Sequence, residues 1–316
     1  MEINNIFDSD VKNLWKSLYY NSNTKDIFKR DKKLYHGCYL GIISQKKEKK
    51  PVIRVEFKGS IYLNQFNFSS IDLKINHTDQ LRKTLIISPK YRYDYNIFQK
   101  YIPYFFYNES KLEITATDLK KILNEMSQIG DLLLEKKKTM TLSNVIGLYG
   151  EMVFLNSQLL KNKKQHEKHL EAWQKNEKSN NDFIYSDKEY EVKTTTSESN
   201  VVKINSEYQL ESHKNNPVFL KLIKIKEQIE GQSLDDLINK IKEIIRKDIK
   251  MTFKFNLKLE ILGYVSCSNT KNKKFNLIKT HQLKIDKNFP KLSIKTIPRN
   301  ISDVKYSIDL SNYLNE

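Results

Sequence analysis

Between Thr115 and Lys164 the chain carries two consecutive helical patterns, and soon after them the period falls from 3.6 residues to two. In "TATDLKKILNEMSQIGDLLLEKKK", Leu119, Ile122, Leu123, Met126, Ile129 and Leu133 fall on one helical stripe. In "TLSNVIGLYGEMVFLNSQLLKNKK", Leu148, Met152, Leu155 and Leu159 are spaced 4, 3 and 4 apart, and the segment ends in solvated lysines. Each stripe has to be buried against another element. Strands follow: "NDFIY" and "EYEVKTTT" flank the turn "SDK", and "VVKIN" is a third. The fold class is therefore one that mixes helices and strands, α+β or α/β.

The first third reads differently. "CYLGIIS", "PVIRVEFKG", "SIDLKIN" and "KTLIISP" are short β-branched runs between turns. "DYNIFQKYIPYFFY" starts as a helix and is interrupted at Pro103, and Tyr101 to Tyr107 read as core, with stacking on unpaired bases as the alternative. The expected division is a β-rich module over residues 1–112 and a second domain with a C-terminal extension over 113–316. In the second domain "SEYQL" opens a helix with Ser206 and Gln209 as a capping box. "PVFLKLIKIK" is a strand. "SLDDLINKIKEIIRKDI" is a helix capped by Ser233, with Asp235 and Asp236 in its first turn. "FKFNLKLEIL" alternates like a strand, yet Phe255, Leu259 and Leu262 also fit a helix, and its period leaves both open. The tail is irregular and ends in a strand.

With 316 residues and 39% hydrophobic content the chain can build sizeable cores. No apolar run approaches the roughly 20 residues that span a bilayer, and the start lacks a secretory pattern, so the expected place is the cytoplasm with no membrane partner. Two isolated cysteines, Cys38 and Cys267, make no zinc site and read as buried, inert thiols. There is no phosphate-cradling glycine loop, so the chain should not hydrolyse ATP itself. Its net charge of +17 favours a nucleic-acid partner.

The hairpin is where the chemistry gathers. Glu191 and Lys193 are two apart on one strand and point the same way, while Tyr190 and Val192 point into a core. Asp182 lies on the preceding strand and comes alongside if the register allows. Two carboxylates suit a hard cation such as Mg²⁺, which lowers the pKa of its water and neutralises a phosphate under attack. A lysine beside them stabilises the transition-state charge. The plain alternative is a solvated hairpin face with an ion pair of about 0–1 kcal/mol. Glu151, between Leu148 and Leu155 on the second helix, points to the apolar side, where a lone charge is costly. Gly147 and Gly150 precede it, each costing about 1 kcal/mol in a helix interior, and such glycines permit close backbone approach. His166 and His169 in "QHEKH" lack a third ligand and read as a solvated helix end. Trp173 reads as packing a helix on the sheet. The hydroxyls of Thr194 to Thr196 suit phosphate contacts, and β-propensity explains them equally.

"GLYGEMVFLNSQLL", "AW", "NDFIYSDKEYEVKTTT" and "VVKINSEYQL", taken in that order, resemble an uncharacterised bacterial family of the PD-(D/E)XK nuclease superfamily. "GYVSC" and "FPKLSIKTIPRNISDVKYSIDL" are similar to its C-terminal region. The resemblance covers the chain from about residue 140 onward and is looser before it. It implies a restriction-endonuclease-like core, a mixed sheet flanked by helices with the site at a hairpin. It also implies that Asp182, Glu191 and Lys193 are catalytic, that Glu151, Asp182 and Glu191 bind Mg²⁺ (or Mn²⁺), and that Gln209 lies near substrate, with Thr194 and Lys203 as further expected contacts. Asn181 stands where many members have proline. The expected activity is a Mg²⁺-dependent DNA endonuclease of restriction or anti-phage clusters, acting beside methyltransferase or helicase-like ATPase subunits and as a possible homodimer. The alternatives are an inactive nuclease-fold subunit that binds DNA or a partner protein, and RNA as substrate.

Overall fold

The computed structural model describes residues 3–21, 26–45, 48–77, 82–92, 95–108, 112–134, 140–174, 180–196, 200–212, 215–266, 268–292, 297–298 and 300–314. Its two compact units are Met1–Lys137 and Lys138–Glu316.

The first unit contains α1 (Ile3–Asn21), β1 (Ile27–Lys29), β2 (Cys38–Gln45), β3 (Glu48–Lys58), β4 (Ile71–His77), β5 (Arg82–Pro89), α2 (Tyr95–Phe105) and α3 (Ala116–Leu134). The strands form one antiparallel sheet in the order β1-β2-β3-β5-β4. The β-rich reading holds for its sheet, with α1 and β1 as additions. The boundary falls after α3 and not near residue 112. Bridges from His36 to Glu113 and from Lys58 to Thr115 tie the start of α3 to this unit, and Leu119, Leu123 and Met126 are buried. The apolar stripe of α3 thus finds its cover on the N-terminal side. Pro103 does not interrupt α2; it sits in the last turn, where the missing N–H removes a single hydrogen bond. Tyr101, Ile102, Phe106 and Tyr107 are core residues, and Cys38 is fully buried, with burial pushing its thiol pKa up. Cys267 lies outside the described residues.

The second unit contains α4 (Leu142–Lys161), α5 (His166–Ala172), β6 (Phe183–Ile184), β7 (Glu189–Thr195), β8 (Val201–Ile204), β9 (Val218–Ser233), α6 (Leu234–Ile245), α7 (Ile249–Ile261), α8 (Ser268–Asn272), β10 (Lys274–Ile285), β11 (Tyr306–Asp309) and α9 (Ser311–Leu314). The main sheet has the order β10-β9-β7-β6. β7 and β9 run parallel and the other pairs antiparallel, so the sheet is mixed. On one face, Leu148, Met152, Leu155 and Leu159 of α4 share a core with Tyr190 and Val192 of β7, Ile238 and Ile241 of α6 and Phe255 and Leu259 of α7. Each such side chain contributes about 1.5–3 kcal/mol on full burial. On the opposite face, Leu220 and Leu222 pack against Val202, Ile204, Phe289 and Ile308.

One expectation changes here, and two points left open are decided. β8 leaves the main sheet and pairs with β11 instead, because its buried Val202 and Ile204 cover the second face. The segment after it is a turn over 207–210 and not a helix, closed at Leu210 with φ 70. The ambiguous 253–262 stretch is helical in α7, since Phe255 and Leu259 meet one face of the sheet. Among the described residues no helix is long and apolar enough to cross a membrane.

Candidate active site

The hairpin register settles the meeting of the two strands. Phe183 pairs with Tyr190 and Ile184 with Glu189, so one further step sets Asp182 across from Glu191. Asp182 Oδ2 accepts the backbone N–H of Val192 at 2.9 Å. Tyr190 and Val192 lie in the core beneath α4, so alternation puts Glu189, Glu191 and Lys193 on the other face. Lys193 Nζ lies 2.7 Å from Glu191 Oε1. It also donates to Gln209 Oε1 at 3.0 Å, and that same oxygen accepts the N–H of Asn205 at 2.9 Å. Gln209 therefore reaches Lys193 from a turn rather than from the expected helix. Asp182, Glu191, Lys193 and Gln209 are brought together.

Glu151 arrives from the other side. α4 packs on the Tyr190 and Val192 face, and Glu151 Oε2 accepts the indole N–H of Trp173 at 2.8 Å. Trp173 is fully buried and tilted against Phe255 of α7, which bears out its packing role. It also bridges to Phe183, and the next residue, Gln174, donates its backbone N–H to the Asp182 carbonyl at 2.8 Å. Glu151 is thus fixed near the Asp182 end of the hairpin through the indole. Among the described residues no three His, Cys, Asp or Glu side chains form a group that could hold a metal ion. Val192 engages Asp182, Lys193 engages Glu191 and Trp173 engages Glu151.

Thr194 and Lys203 lie elsewhere. A Cβ on Gly150 would fall 1.8 Å from Thr194 Oγ1, so Thr194 faces α4, and Gly150 is what lets helix and strand approach. Around Gly147 nothing lies within 4 Å, so only the second glycine has the packing role. Lys203 is exposed on β8, across from Ser307. The histidines are not a solvated end. His166 Nε2 lies 3.0 Å from the Leu159 carbonyl, and His169 is buried with Nδ1 3.0 Å from the Tyr185 hydroxyl. Burial, reinforced by Lys168, lowers the His169 pKa.

Glu189 and Ser212 went unread in the sequence, and Asn181 reads there only as standing in place of a proline. Glu189 is fully buried, a costly place for a carboxylate without hydrogen bonds. Asn181 Nδ2 donates to its Oε2 at 2.8 Å and Ser212 Oγ to its Oε1 at 3.1 Å. Asn181 Nδ2 also reaches the Glu211 carbonyl at 2.8 Å. This bracket joins the hairpin to the chain just beyond Gln209. The signal was the alternation itself, since Glu189 shares a face with Glu191 and Lys193.

The donor set suits a hard divalent cation. Mg²⁺ is commonly held by one or two carboxylates, with waters and substrate phosphate completing an octahedron. Asp182 and Glu191, on facing strands, supply such a pair. Neither a curated protein nor a solved structure matches the chain. A family model described as "Putative PD-(D/E)XK family member, (DUF4420)" matches residues 11–311, and the chain belongs to that family.

Proposed function

We propose that the chain is a Mg²⁺-dependent DNA endonuclease serving restriction or anti-phage defence, with Mn²⁺ able to replace Mg²⁺. The observation that carries this reading is the Lys193 ammonium 2.7 Å from Glu191, with Asp182 across the hairpin. Asp182 and Glu191 would hold the cation, with Glu151 as the third acid if its side chain turns from Trp173. A bound Mg²⁺ supplies charge neutralisation at the phosphate and a more acidic water.

The chain's own groups do the rest. Lys193 carries a positive charge to a phosphate oxygen that gains negative charge in the transition state. Gln209 fixes the lysine's direction by accepting a hydrogen bond from its ammonium. Hydrolysis forms a P–O bond from water and breaks the one to the leaving oxygen; the attacking water loses a proton and the leaving oxygen gains one. Thr194 faces α4 and Lys203 is exposed on β8, so we place Gln209 alone on the substrate side and Thr194 in packing.

A second reading is an inactive nuclease-fold subunit that binds DNA or a partner protein. It is favoured by the hydrogen bonds and the ion pair that the three acids already make with Trp173, Val192 and Lys193. Methyltransferase or helicase-like ATPase subunits, and a second copy of the chain, are the partners to supply in the assay. Supercoiled plasmid with Mg²⁺, against EDTA, tests the proposal. Wild type should nick or linearise it, and Asp182→Asn should not. RNA cut in preference to plasmid would change the substrate class. DNA binding without cleavage, partners present, would favour the second reading.

A further inference from the structure

The first unit has a groove of about 1040 Å³ between α1, α2 and β3. Its described lining residues include Lys12, Lys16 and Lys100, with Trp15, Tyr19 and Tyr20, and none of them is acidic. Lys12 and Lys16 are one turn apart on α1, an arrangement in which like charges repel. A fourth lining lysine, Lys49, donates to the Tyr19 carbonyl at 2.7 Å. The nearby acid Glu48 is bound by the Tyr95 hydroxyl at 2.9 Å. Tyr20 is 86% exposed, although it is a large aromatic residue. Trp15 is only 4% exposed, and its indole N–H has no hydrogen-bond partner among the described residues. Buried donors are nearly always satisfied, so an orphan at the wall of a cationic groove points to a ligand that supplies the acceptor.

We propose that this groove binds single-stranded nucleic acid, with lysines on the phosphates and the exposed tyrosine under a base. A wall with four lysines and no acid among its described lining residues provides the electrostatic track, and an aromatic face is sequence-tolerant because every base has a π-face. Duplex DNA already stacks its bases on one another, so the aromatic wall selects unpaired ones. The size of the groove suits a strand passing through. This inference stands apart from the nuclease reading, since none of its residues belongs to the hairpin site.

The test is fluorescence anisotropy of a labelled oligothymidylate with the full chain in EDTA, over a range of salt. Lys12→Glu with Lys16→Glu should weaken binding at least tenfold. The log–log salt slope should become shallower by about 1.4, at about 0.7 for each phosphate no longer neutralised. Lys100→Glu, on the other helix, should weaken binding as well. Tyr20→Ala should weaken it at least fivefold with an unchanged slope. Lys240→Glu, at an exposed position of α6 outside both sites, should bind as wild type. All four residues substituted in the groove are exposed, and unchanged melting temperatures would confirm folding. Affinities within twofold of wild type for the groove variants would overturn the proposal. So would a mononucleotide or a polyglutamate peptide binding as tightly as the strand.

Discussion

The Lys193 ammonium lies 2.7 Å from Glu191, two residues away on the same face of β7, with side chains only 13% and 3% exposed. A nearly buried ion pair of this kind is poor evidence for stability, because desolvation offsets much of the attraction. Removing one partner, however, strands the other. Lys193→Ala should therefore lose plasmid cleavage by about 10²–10³-fold or more and also lose about 3 kcal/mol of stability. Lys193→Met combined with Glu191→Leu should recover the stability without the activity. Denaturant melts beside cleavage rates read the two effects separately. Cleavage equal to wild type in Lys193→Ala would remove Lys193 from the mechanism.

Glu151 is held by the Trp173 indole, and its place in metal binding is open to a direct test. Glu151→Gln keeps an oxygen for the indole and removes the charge. If Glu151 joins the cation, the Mg²⁺ concentration for half-maximal cleavage should rise about tenfold, with folding intact. An unchanged Mg²⁺ titration would confine Glu151 to a structural role and leave Asp182 and Glu191 as the ligands.

The two glycines of α4 should respond oppositely to alanine. Gly147→Ala meets open space and should stabilise by up to about 1 kcal/mol through helix propensity. Gly150→Ala puts a methyl 1.8 Å from Thr194 Oγ1 and 3.0 Å from its Cβ. It should destabilise by about 1–3 kcal/mol, as overpacking does. Adding Thr194→Ala should restore part of that stability, since the clashing hydroxyl is then gone. Thermal unfolding of the three variants checks the order.

The cap of α6 gives a pH-dependent signature. Ser233 donates to Asp236 through its hydroxyl and its N–H, at 2.7 and 2.9 Å. The Ser233 hydroxyl bond, then the backbone bond, holds the Asp236 carboxyl below its usual range. A carboxyl lowered on folding contributes stability that is present above its unfolded pKa of about 3.9. That stability fades as pH falls through the lower folded value. Ser233→Ala should cost about 1 kcal/mol at neutral pH, and the difference from wild type should shrink below about pH 4. Urea melts at several pH values measure it; a gap that widens in acid would contradict the assignment.

The sequence alone determined the parts with a local cause. The α4 stripe at Leu148, Met152, Leu155 and Leu159, the Ser233 cap and the alternation of Glu191 with Val192 all follow from side-chain periods within one element. The shared face of Glu191 and Lys193 needed nothing more. Only the tertiary structure decided what depends on distant partners. The period of the 253–262 stretch fits two elements, and burial of Phe255 and Leu259 against the sheet chose the helix. β8 reads as a strand, but its partner β11, about a hundred residues later, has no signal in its period. Helical spacing turned Glu151 inward, yet its partner is the Trp173 indole, 22 residues away. Register, sheet order and the owner of a buried donor are set by long-range contacts, and those have no period in the sequence.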